Sequence, residues 1–185
     1  MKIIRNRNLL LVSIGFFLIF FGFGAAQQFI VSIFSESGRE GVALLSLIIV
    51  YLVFAAGSLV SPKIISKLGS KVSFIIAAIL DAAFIFSISL GNEYLLYIFA
   101  ALAGLAAAII WVNVESYIIR IASKRNRGEA LGFQTSLFIL GNLAGLIMAT
   151  TFLKFIGVQE IFLILAGFTV AGAIPFLGIK NVKAE

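Results

Sequence analysis

Six apolar stretches, each long enough to cross a bilayer and each closed by a short polar break, constrain this chain more than any other feature. A helix rises 1.5 Å per residue, so about 20 predominantly apolar residues cross the hydrocarbon. The stretches cover 9–31, 42–61, 72–90, 94–119, 131–153 and 161–179, and each predicts a transmembrane helix. Backbone polar groups find no water inside the bilayer, so a segment of this kind must bond within itself. Composition agrees. Apolar types make up 62% of the 185 residues and charged types 12%, with a mean hydropathy of +1.16, against about 45–50% and about 25% in soluble domains. The prediction is one all-α membrane domain over 1–185.

The basic residues assign its direction. Lys2, Arg5 and Arg7 precede the first stretch, and Lys63, Lys67 and Lys71 surround the second break. Arg120, Lys124, Arg125 and Arg127 surround the fourth, and Lys180 and Lys183 follow the sixth. The alternate breaks hold only Arg39 and Lys154. The positive-inside rule therefore places both termini in the cytoplasm. It also explains the net charge of +6 without nucleic acid, because the charges flank apolar runs and form no single basic face. The opening 1–26 has the outline of a signal peptide, but its apolar run continues to Phe34, past the 7–15 residues of an ordinary apolar core. It reads as an uncleaved first span.

Several function classes fall away. With no Cys and no His, disulfides, thiolate or imidazole metal sites and Ser-His or Cys-His catalysis are excluded. No span presents a nucleophile, a base and an orienting group together, so an enzyme is not expected. Neither a cofactor nor a metal is expected. The chain has no phosphate-binding loop, no TVGYG filter and no spaced-Arg voltage sensor.

An internal repeat is suggested by two segments of equal Gly–Gly spacing. GSLVSPKIISKLG spans Gly57 to Gly69, and GLIMATTFLKFIG spans Gly145 to Gly157, with Lys67 and Lys154 before the second glycines. Helices one to three would then recur as four to six. Three is odd, so the second copy enters from the opposite face, giving an inverted 3+3 repeat of the kind built into secondary transporters.

The residues from Gly57 to Lys71 resemble the signature loop between the second and third helices of the major facilitator superfamily, and Arg127-Gly128 through Gly132 resemble its fourth–fifth loop. The Unc-ninety-three-like branch is closer still. Its likeness rests on Ala26-Gln27-Gln28, Ser46-Leu47 through Tyr51, Ser58-Leu59 with Pro62, Lys67-Leu68-Gly69-Ser70-Lys71, Trp111 with Tyr117, and Gly141-Asn142. It extends over nearly the whole chain, as the amino-terminal six-helix half of such a transporter. Two positions depart from the pattern. Ser61 and Pro62 stand where the superfamily loop has an early Asp, and Val114 stands where the branch tends to have Gln.

The resemblance implies site residues. Helices one and four line the central cavity of the superfamily, which makes Gln27, Trp111, Asn113 and Glu115 cavity candidates. Gln27 and Gln28 lie about 100° apart on a helix, and Gln27 is the one expected to face the cavity. Gly57, Pro62, Lys67, Gly69, Lys71, Arg127 and Gly128 form the cytoplasmic loop signature. From depth alone, Asp81 in helix three is level with Tyr51 and Asn142. A carboxylate in mid-membrane is costly, so these three are expected to share a buried polar network, either proton-coupling or structural. Gly141, Gly145 and Ala149 make a small-residue stripe on helix five, and Gly57 with Ser61 a shorter one on helix two. Such stripes permit close helix approach, either within the half or where it meets a second half.

The expectation is a half-size facilitator that carries a small solute by alternating access in the plasma membrane. Its partners would be the lipid bilayer and a second six-helix half, either a copy of itself in a homodimer or a separate chain. The rivals are a non-transporting accessory or regulatory subunit, in which some of the 19 Phe plug the cavity, and an inactive fragment.

Overall fold

The computed structural model describes residues 6–181. Lys2, Arg5 and Lys183, three of the cations that assign direction, lie outside the described residues. Six helices are long and apolar enough to cross a membrane. They are α1 (Arg7–Glu36), α2 (Glu40–Leu68), α3 (Ser70–Ser89), α4 (Glu93–Ile121), α5 (Arg127–Phe152) and α6 (Val158–Ala171), the last extended by a short α7 (Ala173–Leu177). A 3-10 turn, Lys124–Asn126, leads into α5. Short connections make successive helices antiparallel, so α1, α3 and α5 begin at the end of the bundle where the basic residues collect.

The helices run past the apolar stretches. α1, α2 and α4 have 30, 29 and 29 residues, or about 44 Å at 1.5 Å per residue, against a hydrocarbon thickness of about 30 Å. Apolarity ends at the headgroups, but Glu, Lys and Arg are good helix formers, so the helix continues into water. Span six departs from expectation in the other direction. It breaks at Gly172, because Pro175 has no N–H and its ring crowds the carbonyl four residues earlier. At that break Gly172 lies against the Gly15 carbonyl oxygen and Ile19 of α1.

The expected loop between α2 and α3 is almost entirely helix, which corrects the sequence reading. Gly57, Pro62 and Lys67 lie on α2, and Lys71 is on the first turn of α3. Arg127 and Gly128 open α5. Pro62 is accommodated inside α2, where the Ser61 hydroxyl donates to the Gly57 carbonyl at 2.8 Å. Only Gly69 stands between α2 and α3, at φ 80°, the left-handed region open to glycine. A side chain there would also strike Asn181, whose amide nitrogen would lie 2.6 Å from its Cβ. Asn181 is held in place, accepting from the Lys71 amide at 3.2 Å. Gly69→Ala is therefore expected to lower stability by about 1–2 kcal/mol or more, read as a fall in the thermal midpoint of the detergent-solubilised protein. A midpoint equal to wild type would contradict this geometry.

Packing follows the inverted repeat. α2 packs most extensively on α4, and α5 on α1; α3 packs on α4, and α6 on α1. Exchanging helices one, two and three with four, five and six turns each of these pairs into another of them. Gly57 faces Leu105 and Ala108 of α4, while Gly145 faces the Phe21 backbone of α1. The second glycines also correspond, since Gly69 precedes α3 and Gly157 precedes α6 as cap residues. Lipid offers no hydrophobic drive between helices, so association depends on close fit and interhelical bonds. That fit is built from fully buried alanines such as Ala25, Ala77, Ala103 and Ala106, and from large buried rings. Phe74 of α3 stacks on Phe176 of α7 with centroids 4.6 Å apart.

The two ends are fastened differently. Opposite the basic end, Arg39 pairs with Glu93 at 2.7 Å, tying the α1–α2 connection to the start of α4. At the basic end, hydrogen bonds to backbone and amide groups close the bundle. The Tyr117 hydroxyl donates to the Lys180 carbonyl at 3.0 Å, and the Lys180 amide donates to Asn8 Oδ1 at 3.2 Å. The Lys71 ammonium reaches the Leu177 carbonyl at 2.5 Å.

Candidate functional site

Where α1, α2, α4 and α5 converge near mid-depth, a cavity of about 200 Å³ opens on the side of the bundle away from α3 and α6. Its floor is aromatic. Phe138 of α5 meets Phe20 of α1 and Trp111 of α4 edge to face, at 4.6 Å and 5.1 Å. Phe20–Trp111 closes the triangle at 5.6 Å, and Phe16 buttresses the indole at 5.9 Å. Such geometry contributes about 0.5–1.5 kcal/mol per pair beyond area burial, which makes this a rigid surface. Polar groups enter from three helices: Gln27 of α1, Tyr51 of α2 and Asn142 of α5. Among the described residues, no charged side chain lines the cavity.

Local packing positions these groups. Asn142 donates to the Phe138 carbonyl one turn back at 3.1 Å, and its side chain lies directly over Gly24 of α1. A Cβ at Gly24 would collide with it, so that glycine is what lets the amide sit against α1. Gln27 is half-buried and faces the cavity, whereas Gln28 is exposed and lines a separate surface groove with Gly24 and Leu143.

Several sequence candidates lie elsewhere. Asn113 is fully buried away from the cavity and donates to the Ser70 carbonyl at 2.8 Å, bracing the start of α3. Helix periodicity explains this, because Asn113 is two residues from Trp111 and so points about 200° away. Glu115 is exposed one turn beyond Trp111, does not line the cavity, and forms no ion pair with Lys63, Lys67 or Lys71.

The expected network of Asp81, Tyr51 and Asn142 does not form. Asp81 is 1% exposed on α3, and its Oδ1 meets no hydrogen-bond partner. Tyr51 and Asn142 instead share the cavity wall. Equal depth brought these residues to one level of the membrane but not to one face.

The small-residue stripe is also reassigned. Gly141 and Gly145 lie against the backbone of Phe17 and Phe21, and Ala149 is fully buried on the same face. This stripe packs α5 onto α1 within the half, so it is not a surface left for a second copy. The exposed faces of α2 and α5 are different and largely apolar, with Ile48, Leu52 and Leu59 on one and Leu140, Leu143 and Ile147 on the other.

Sequence reasoning missed Phe20, Phe54 and Phe138 as cavity residues. The available signal was the spacing of Phe20, Phe23 and Gln27 at i, i+3 and i+7, which places all three on one side of α1. It also missed Gln134, 3% exposed on α5 with an unpartnered Nε2.

Comparison with known proteins bears on what such a bundle does. The family described as "Ion channel regulatory protein UNC-93" matches residues 35–177. An UNC93-like protein MFSD11 of Xenopus laevis is 27% identical over 141 residues, 75% of this chain and 32% of the relative. Protein unc-93 homolog A of Bos taurus is 34% identical over 125 residues, 65% of this chain and 26% of its own length. An uncharacterized MFS-type transporter of Yersinia enterocolitica is 32% identical over 90 residues, 48% of this chain and 24% of that protein. The chain thus spans about a third or less of the length of these relatives. Among solved structures, the peptide transporter POT in complex with sulfate superposes with a TM-score of 0.66 at 17% identity, covering 91% of this chain and 37% of that one. That likeness shows the fold alone: six helices arranged as in one part of that transporter.

Proposed function

Because the chain belongs to the UNC-93 family of ion channel regulatory proteins, within the facilitator-type transporters, we propose that it is one half of a secondary transporter that moves a small solute by alternating access. The mid-depth cavity of about 200 Å³ carries this reading. It lies at the junction of α1, α2, α4 and α5 and opens toward the exposed apolar faces of α2 and α5, the side a second six-helix half would cover. A copy of this chain in a homodimer, or a separate chain, would complete it, and rocking of the two halves would expose the cavity to each side in turn. The plasma membrane is the proposed location.

The lining chooses the solute class. Two amides and a phenol provide both donors and acceptors, three rings provide an apolar floor, and no side chain provides a countercharge. An uncharged solute with an apolar ring or chain and a few hydrogen-bonding groups fits this set. A carboxylate or phosphate does not, since burying an ion without a partner is costly.

A second reading has its own support. The family's description names channel regulation, and the ring contacts among Phe20, Trp111 and Phe138 narrow the cavity as a plug would. The chain contains a single Trp, and it stands on the cavity floor, so fluorescence excited selectively at the indole reports on the cavity. In lipid nanodiscs, a panel of neutral amphipathic solutes is expected to give a saturable change in Trp111 emission. Gln27→Leu and Asn142→Leu, each removing a hydrogen-bonding group, should weaken it about tenfold. Emission indifferent to every solute and to acrylamide would mean a sealed cavity, and the regulatory reading would stand in place of transport.

A further inference from the structure

Three polar side chains line the cavity, and they are not equally free. Gln27 turns on a longer stem and can present either its oxygen or its nitrogen, and the Tyr51 hydroxyl can donate or accept. Neither of them tells a donor from an acceptor on a solute. The Asn142 amide is held at both ends. Its Nδ2 donates to the Phe138 carbonyl at 3.1 Å, which decides the orientation, because an amide oxygen in that place would face another oxygen. Its Oδ1 is turned onto α1. A Cβ at Gly24 would fall on Oδ1, with Asn142 Cγ at 2.7 Å, and the three atoms nearest to it all belong to this one side chain.

An amide nitrogen carries two N–H groups. One is committed to Phe138, and the oxygen is committed to the notch at Gly24. The group left to the cavity is the second N–H. Gly24 itself does not line the cavity. It acts on it through the amide, and the way it does so differs from the other close glycines of this bundle. At Gly145 the obstacle to a Cβ is the Phe21 backbone, whereas at Gly24 it is the far end of a side chain. On its other side Asn142 borders a groove of about 380 Å³ together with Gly24 and Gln28. A methyl group at position 24 therefore pushes the amide aside and leaves α1 and α5 in contact.

We propose that Asn142 is the specificity-determining contact of the cavity, a fixed donor that selects solutes bearing an uncharged oxygen acceptor, a carbonyl or an ether, beside their apolar ring, and that Gly24 is the residue that positions it. This rests on the solute-cavity reading and narrows its solute class. A buried donor with no partner is costly, so a solute that offers a methylene at this point leaves the N–H unpaired and binds less well than one that offers an oxygen.

The test compares two uncharged probes, benzyl methyl ether and its methylene isostere propylbenzene. Binding to the full chain in nanodiscs is read from Trp111 emission and corrected for partition into empty nanodiscs. The wild type is expected to prefer the ether by about threefold to tenfold, the worth of one hydrogen bond. G24A should lose that preference through weaker binding of the ether rather than tighter binding of propylbenzene. N142A should lose it as well, and G24A/N142A should lose no more than N142A alone, since effects that pass through one side chain do not add. A preference retained in G24A overturns the proposal, and so does additivity in the double variant, which would mark a packing role for Gly24. Should G24A alone fail to fold, G24A/N142A decides: without the amide the Cβ loses its nearest obstacle, so the double variant should fold and match N142A, and its failure to fold overturns the proposal. A wild type that binds both probes equally leaves the cavity standing and overturns this inference alone. A wild type that binds neither removes the solute cavity and this inference with it.

Discussion

Gly145→Val is expected to prevent α5 from seating on α1. A Cβ at Gly145 would run into the Phe21 carbonyl oxygen, with Phe21 Cα at 3.0 Å. The obstacle is backbone, so no rotamer change relieves it, and the two helices must separate along their whole contact. Overpacking of this kind costs about 3 kcal/mol or more, which corresponds to a fall in thermal midpoint of roughly 6–10 °C at this chain length, with loss of monodisperse protein on size exclusion. Gly167→Val is the matched control. Gly167 is exposed on α6, and a Cβ there meets nothing within 4 Å, so its midpoint should stay within about 2 °C of wild type. If the two variants behave alike, the stripe is not what holds α5 against α1.

Asp81→Val is expected to raise stability. The carboxyl is 1% exposed in the middle of α3, and Oδ1 has no hydrogen-bond partner. An unsatisfied buried polar group costs about 1–3 kcal/mol, and a valine of similar volume removes that cost without opening a cavity. The midpoint should rise by roughly 2–8 °C. Such a group persists in a natural sequence when function needs it, so the same variant bears on proton coupling. A stabilised chain that has lost pH-driven uptake would mark Asp81 as a coupling residue that acts away from the solute cavity. A destabilised chain would mean that the carboxyl has a bonding partner supplied from outside this half.

The fold was legible for a simple reason. Span number depends on a quantity summed along the chain, the length of each apolar run. It does not require knowing what a residue touches. The inverted repeat was legible in the same way, since Gly57 and Gly145 hold equivalent crossing points and Gly69 and Gly157 equivalent caps. Gln27 and Trp111 line the cavity among α1, α2, α4 and α5, on the two helices that the resemblance singles out.

The site as a whole was not legible, because in a membrane bundle the usual face signal is lost. A soluble helix announces its buried side by an apolar stripe. Here the lipid side is as apolar as the packed side: Leu52 and Ile147 are exposed, Ile30 and Ile110 fully buried, and residue type does not separate them. Asn113 and Trp111, both cavity candidates by resemblance and two residues apart on α4, face different ways.

From its residues alone the chain specified six crossings, their alternation and the symmetry between its halves, since hydrocarbon thickness and charge exclusion act on each segment separately. Tertiary structure alone decided that the glycines of α5 pack on α1 and that Asp81 stands apart from Tyr51 and Asn142. These are relations between helices, set by how closely two backbones can approach at particular crossing points, and a one-dimensional pattern of greasy and polar residues does not contain that distance.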